Sequence, residues 1–285
     1  MKLLNSSKLP LIDGPTQLKA LVLDWAGTTV DFGSLAPTRT LERVFAAKGV
    51  AVTDDEIRAN MGWPKRAQIG SILENPRVHA EWTRTHGTAP TEKDADDLYE
   101  NFIPAQTECL LEYSSVLPGI PEAVEAFRSR GLKIGTTTGY TRDMMDVIVA
   151  SAAKEGYSPD CTLTPGEAGS GRPHPYMIYE NAVRLQVYPM TAIVKVGDTL
   201  ADIHEGLNAG CWSVGVAATG NLIGLSQKEF AALASAERDI RLAKAREALA
   251  RAGAHYVVDS VAELEPVLDE INAYLQAGAV KELVG

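Results

Sequence analysis

No apolar run in this chain approaches the roughly 18 residues that a helix needs to cross a bilayer, which excludes a membrane-spanning helix. The first fourteen residues lack the basic start, apolar stretch and small-residue cleavage site of a secretory signal. Cysteine is scarce. Cys109, Cys161 and Cys211 are widely spaced and form no CxxC pair, so neither a disulfide frame nor a cysteine-ligated zinc site is expected. They fit a reducing, cytoplasmic setting, with the three thiols acting as buried apolar fillers. Basic residues are the minority, 27 Lys and Arg against 37 Asp and Glu, giving a net charge of −10 with no basic block. Such a surface repels a polyanion, so nucleic acid is not an expected partner. A small anion remains possible, because a local cluster of donors or a metal can override the mean field. What is present, 285 residues with 45% hydrophobic and 22% charged, suits one large or two modest globular domains.

Short continuous apolar runs punctuate the chain. Ala20-Leu21-Val22-Leu23 ends in Asp24 and opens into the small-residue loop Trp25-Ala26-Gly27-Thr28-Thr29. Residues 131–139 run from a strand pattern into Thr136-Thr137-Thr138-Gly139, residues 192–198 end in Gly197-Asp198, and Trp212-Ser213-Val214-Gly215-Val216 is another such run. Runs too short for a helix and apolar throughout predict strands buried on both faces. Amphipathic helical stretches lie between them, at 121–130, 142–155, 176–185 and 202–209, the last closed by Gly210 as a C-cap. Strands alternating with helices predict an α/β fold, a Rossmann-like core built on a parallel sheet. Residues 37–116 break that rhythm with consecutive helical patterns at 37–48, 53–60, from 64, 78–85 and 91–113. The reading is an all-helical domain, residues 34–116, inserted into a core of residues 1–33 and 117–285. A charged helical stretch at 226–252, a last strand at 255–258 and a closing helix from 261 complete the core.

In such sheets the site lies beyond the carboxyl ends of the strands, where Asp24, Thr138 and Asp198 all fall. Two carboxylates so placed suit a hard cation such as Mg²⁺, with Asp202 in reach of a supporting position. A lone Asp is more often a helix cap or a solvated loop residue. Three, each following a strand with Thr and Gly between, favour a site. Lys65 follows the apolar Met61-Gly62-Trp63-Pro64 and stands at a predicted helix start. Desolvation there would favour the neutral, nucleophilic amine, although from this segment alone an ordinary surface lysine is the favoured reading.

Together these segments resemble the haloacid dehalogenase superfamily: Asp24-Trp25-Ala26-Gly27-Thr28-Thr29 its first motif, Thr138-Gly139 its second, Gly197-Asp198-Thr199 with Asp202 its fourth. Phosphatases of that superfamily have a second Asp two residues after the nucleophile to protonate the leaving alkoxide. Here that position is Ala26, and an ester hydrolase without its general acid forfeits roughly 10²- to 10⁴-fold. The first motif extended to Asp31, Met61-Gly62 with Lys65, Thr138-Gly139-Tyr140, Gly171-Arg172-Pro173 and Val196-Gly197-Asp198-Thr199 resemble the phosphonoacetaldehyde hydrolase (phosphonatase) branch.

That resemblance implies a magnesium-dependent cleavage of a small phosphonate aldehyde in 2-aminoethylphosphonate degradation. Lys65 forms a Schiff base and Asp24 an aspartyl-phosphate. Asp24, the carbonyl of Ala26 and Asp198 hold the metal with Asp202 in support. Thr138, Gly139 and Arg172 bind the phosphonate, Tyr140 lines the site, and Met61 with Gly62 packs beside the imine. Arg172 takes the part of the lysine that many relatives carry before the fourth motif, and homodimerisation through the caps is implied as well. Two positions depart from the branch. Gln68 stands where a proton-relaying His is usual, leaving a water, His79 or His174 to serve, and Ser34 replaces a Cys found in some members. A phosphatase acting on a phosphate ester, a hydrolase of a related phosphonate aldehyde, and an inactive binding relative are the competing readings. Trp25 is a candidate for the pocket wall, while Trp82, Trp212, Met144 and Met145 read as packing residues.

Overall fold

Every side chain of Ala20–Leu23 (β1) is buried to 0% exposure, as a strand covered on both faces requires. The computed structural model describes residues 17–277, so the signal-peptide reading of the first fourteen residues and the two outer ends of the core assignment lie outside the described residues. β1 sits in the middle of a six-stranded parallel sheet with Lys133–Thr137 (β2), Cys161–Leu163 (β3), Ile193–Gly197 (β4), Trp212–Val216 (β5) and Tyr256–Val258 (β6), ordered β3-β2-β1-β4-β5-β6. The parallel sheet of a Rossmann-like core is as expected. β3 was not anticipated, because three residues at a sheet edge are too few to show a pattern.

Period two along β1 divides the core. Ala20 and Val22 face an apolar cluster with Met177, Ile178, Ala182 and Leu185, from the helix Tyr176–Leu185. Leu21 and Leu23 face the opposite cluster with Phe127, Met144, Met145, Ile148 and Ile271, from the helices Ile120–Ser129, Arg142–Lys154 and Glu265–Gln276. The helix Leu200–Ala209 covers β4 and β5 and ends on Gly210, whose φ of 74° makes the expected left-handed cap. The C-terminal charged stretch is two helices, Gln227–Ala232 and Ser235–Arg251, parted by an extended Leu233.

Between β1 and β2 run six helices, of which the first five are Leu35–Ala47 (α1), Asp54–Arg58 (α2), Lys65–Glu74 (α3), Pro76–His86 (α4) and Glu92–Tyr113 (α5), with no strand among them. α5 packs on both α1 and α3. The chain departs and returns beside itself: Asp31 N–H donates to the Ser115 carbonyl, and Leu117 N–H to the Thr29 carbonyl. For the helices that follow, the chain-order labels are α6 for Ile120–Ser129, α7 for Arg142–Lys154, α8 for Tyr176–Leu185 and α9 for Leu200–Ala209. Among the described residues no helix is long and apolar enough to cross a membrane. The three cysteines are free thiols; Cys161 and Cys211 are buried as expected, while Cys109 is only partly so.

Candidate active site

Register brings the acids together. Leu23 pairs with Thr136 on one side and Val196 on the other, so the chain leaves β1, β2 and β4 at one level, at the point where strand order reverses. Asp24 is 5% exposed and Asp198 and Asp202 are fully buried, and each of the three offers a carboxylate oxygen within 4.8 Å of the others. Glycine permits this approach. Gly27 adopts φ +81°, and a Cβ on it would lie 2.3 Å from Oδ2 of Asp198. Asp198 accepts hydrogen bonds from Thr28 Oγ1 (2.9 Å) and from the backbone N–H of Asn221 (2.6 Å). Asp202 is the third residue of α9, where it closes a capping box with Thr199.

Beneath Asp24 lies a network that the sequence reading caught only in part. Arg172, 2% exposed, donates from Nη2 to Asp24 Oδ1 (2.6 Å) and to the Thr137 carbonyl (2.6 Å), and from Nε to Glu205 Oε2 (3.1 Å); its Nη1 lies 3.0 Å from Asp202 Oδ1. Lys195 is equally buried, with Nζ 2.7 Å from Asp202 and 3.3 Å from Glu205. Arg172 therefore lies in the site, but so does the strand lysine ahead of the fourth motif. Its signal was available, a lysine in the middle of the apolar run Ile193-Val194-Lys195-Val196. Glu205, one turn beyond Asp202 on α9, carried none.

Two cations thus face four acids (Asp24, Asp198, Asp202 and Glu205), two more acids than cations within protein. Burial, followed by the charges of Asp24 and Asp202, pushes the Asp198 carboxyl well above the usual carboxylate range. Burial works in the same direction on Asp202, yet Arg172 and Lys195 bring it below its ordinary value. Burial opposes the Arg172 charge, and Asp202, Asp24 and Glu205 more than offset it. An oxygen-rich, doubly under-neutralised cluster of this kind matches the needs of a hard divalent cation. On donor set and charge, the residues fit such an ion.

Facing the acids is the start of α3. Lys65 is its first residue, with Pro64 as the residue before the first turn rather than inside it. Lys65 is 4% exposed; its Nζ donates to Gln68 Oε1 (2.8 Å), touches Met61 Sδ (3.7 Å) and lies 5.6 Å from the centre of the Tyr140 ring. Burial, against the attraction of Asp24 and with the repulsion of Arg172, lowers its pKa from 10.5 to about 7. Gln68 is fully buried and held from behind, Nε2 donating to the Ile57 carbonyl (2.9 Å), so its oxygen stays on the amine.

A cavity of about 20 Å³ separates the two sides. Asp24, Ala26, Thr138, Gly139, Tyr140 and Arg172 line it from the α/β side, Met61, Gly62 and Lys65 from the helical side, with Ser34, Pro37 and Thr199 closing it. Glycines bring the two sides into contact: a Cβ on Gly62 would lie 2.5 Å from Thr199 Oγ1, and one on Gly139 2.8 Å from the Trp63 carbonyl. Trp25, read as a wall residue, is instead fully buried and packs on Tyr157 at 5.2 Å, because the residue after Asp24 turns back beneath the sheet edge. His79 and His174 do not reach the cavity. Both are exposed, and the His174 ring lies against Ser170 and the Gly171 carbonyl.

The fold and the carboxylate site define the class: the model of the haloacid dehalogenase-like hydrolases matches residues 18–210. Within that class the chain belongs to the phosphonoacetaldehyde hydrolase family. It is 46% identical to a phosphonoacetaldehyde hydrolase of Paraburkholderia phytofirmans, over 92% of this chain and 98% of the relative. It is 44% identical, over 90% of its length, to 40% of a bifunctional phosphonoacetaldehyde hydrolase/aminoethylphosphonate transaminase of Clostridioides difficile. The crystal structure of a phosphonoacetaldehyde hydrolase-like protein of Oleispira antarctica superposes with a TM-score of 0.90 at 41% identity, covering 93% of this chain and 96% of that one.

Proposed function

We propose that the chain hydrolyses the carbon–phosphorus bond of phosphonoacetaldehyde, giving acetaldehyde and phosphate, with magnesium as cofactor. The observation that carries this is the position of Lys65, a buried amine with a pKa of about 7, across a small cavity from Asp24. A phosphate-ester hydrolase has no role for such an amine and needs an acid where Ala26 stands. An aldehyde substrate uses both features.

The neutral Lys65 amine adds to the aldehyde carbon, and loss of water leaves a protonated imine. Asp24, oriented by the Arg172 fork, attacks phosphorus in line with the departing carbon. As the P–C bond breaks, its electron pair moves into the iminium and gives an enamine, so no alkoxide has to be protonated. Protonation at carbon and hydrolysis of the imine release acetaldehyde and restore Lys65. A second water hydrolyses the aspartyl-phosphate to phosphate and free Asp24. Two waters enter and one leaves, one net for the reaction. Thr138 and Gly139 supply donors to the phosphoryl oxygens, and Tyr140 and Met61 keep the amine dry. Asp24, the Ala26 carbonyl and Asp198 would hold the magnesium, with Asp202 behind them, and bound there it would offset the buried negative excess and withdraw charge from the phosphoryl group.

In this reading residues 34–116 form a cap closing on a core of the remaining residues, and the enzyme is a cytoplasmic homodimer joined through its caps. The fusion in the clostridial relative supports supply of the aldehyde by a transaminase, in degradation of 2-aminoethylphosphonate. Borohydride trapping in the presence of phosphonoacetaldehyde, read by peptide mass spectrometry, tests the route alongside phosphate release. The expected result is a reduced two-carbon adduct on Lys65 and Mg²⁺-dependent phosphate, both lost in Lys65→Arg. Phosphate without adduct would defeat the imine route, and neither product would defeat the substrate.

A further inference from the structure

Arg58 ends α2 and reaches into the α/β body, where it meets carbonyls rather than an acid. Its Nη1 donates to the Gly33 carbonyl (2.8 Å) and to the carbonyl (3.2 Å) and side-chain oxygen (3.1 Å) of Asn221. The carboxylate paired with it, Asp54 on its own helix, is 3.8 Å away. Asn221 answers the contact, its Nδ2 donating to the Arg58 carbonyl at 3.3 Å. The backbone N–H of the same Asn221 is the donor that holds Asp198 Oδ2 at 2.6 Å. The turn between them is tightly confined: a Cβ on Gly220 would lie 2.4 Å from the Asp198 Cβ, and one on Gly224 2.9 Å from Arg58 Nε. Neither Arg58 nor Asn221 lines the reaction cavity.

We infer that Arg58 and Asn221 form a latch that couples the seating of the Lys65-bearing segment to the orientation of Asp198 for its cation. The inference rests on the reading of Asp24 and Asp198 as the divalent site. Both are positioning residues. With Arg58 in place, both amide atoms of Asn221 are engaged and its backbone N–H is aimed at one oxygen of Asp198. Without the guanidinium, the Asn221 carbonyl and side-chain oxygen lose their donor, and the bonds that stay, Asn221 Nδ2 to the Arg58 carbonyl, Thr219 Oγ1 to the Gly27 carbonyl (2.7 Å) and Gly33 N–H to the Thr219 carbonyl (2.7 Å), no longer pin the residue whose N–H holds Asp198. Partners that orient a ligating carboxylate matter to metal affinity without touching the metal. Because coupling is reciprocal, a filled cation site in turn favours the seated position of Lys65.

The test is Mn²⁺ binding to the full-length protein without substrate, followed by the EPR signal of the free ion, in wild type, Arg58→Ala, Asn221→Ala and the double variant. Each single change is expected to weaken Mn²⁺ binding by about tenfold or more. The double variant is expected to lose no more than the weaker-binding single variant, since the two residues act as one unit. Arg58→Lys, which retains the charge but not the fork, should fall between wild type and Arg58→Ala, and it replaces the alanine variant in the cycle should that chain fail to fold. Single variants within about twofold of wild type, or losses that multiply in the double variant, overturn the latch. A wild type that binds Mn²⁺ yet releases no phosphate from phosphonoacetaldehyde counts against the proposed substrate alone.

Discussion

With a pKa of about 7 in the folded chain and an ordinary value of 10.5, Lys65 gives up a proton on folding across that interval. The unfolded chain then holds more protons than the folded one, so this residue makes stability rise with pH between about 7 and 10.5. Below that window the buried charge carries its full penalty, and above it none. Lys65→Met is therefore expected to raise the melting temperature most near pH 6, with the gain fading toward pH 10, as read by thermal denaturation across pH. The variant should be inactive throughout. Much of this site could be read in the sequence, because Asp24, Thr138, Asp198 and Asp202 each follow a strand at a fixed offset. Lys195 was legible as a lysine inside an apolar strand, whereas Glu205, Arg58 and Asn221 could not be placed from the sequence, since their roles come from side chains meeting across elements far apart in the chain. Trp25 misled for a related reason: adjacency to a nucleophile in sequence says nothing about which face of the turn a side chain takes.

At the level of elements, helix beginnings do much of the positioning. α1 starts at Ser34, whose side chain makes no cap; Asp31 supplies it instead, accepting from the N–H groups of Leu35 (2.9 Å) and Ala36 (3.0 Å). Asp31 and Ser34 both hold left-handed φ, 55° and 53°, and so bend the chain from the first motif into α1 with Ser34 at the cavity. Burial raises the Asp31 carboxyl to about 7. Burial therefore costs ionisation energy between about pH 4 and 7, and Asp31→Ala is expected to lose about 1–2 kcal/mol in urea denaturation near pH 4, where that cost is absent. A loss below about half a kcal/mol would show that α1 holds without this cap. The long elements were legible because their apolar spacing is regular: α8 and β5 match their sequence patterns end to end. The three-residue β3 was not, and the break at Leu233 between the two C-terminal helices falls inside a stretch that reads as one continuous charged helix.

For the molecule as a whole, the buried surplus of two acids over cations carries a standing cost, as charge or as raised carboxyl pKa, that a divalent ion would remove. Mg²⁺ added to metal-free protein is expected to raise the melting temperature, by about 3 kcal/mol of stability at a hundredfold excess over its dissociation constant. Asp198→Asn replaces a carboxyl whose ionisation burial already opposes, so it should leave the melting temperature of the metal-free protein little changed near neutral pH and should abolish the response to Mg²⁺. Scanning calorimetry with and without chelator reads both. A metal-free wild type as stable as the loaded one would mean that the four carboxylates share protons instead.

The sheet order also bears on how the chain is made. Among the described residues β1 is the first strand in the chain, yet it lies between β2 and β4, so neither of its edges has a neighbour until residue 133 and its second edge stays open until residue 193. An apolar strand with bare edges is a template for association with other chains. The six helices between β1 and β2 cannot pair with those edges. The strand that leads into Asp24 is thus the earliest of the described strands to be made and stays open on one edge until β4 arrives, and fragments ending before β4 are expected to aggregate more than the full-length chain.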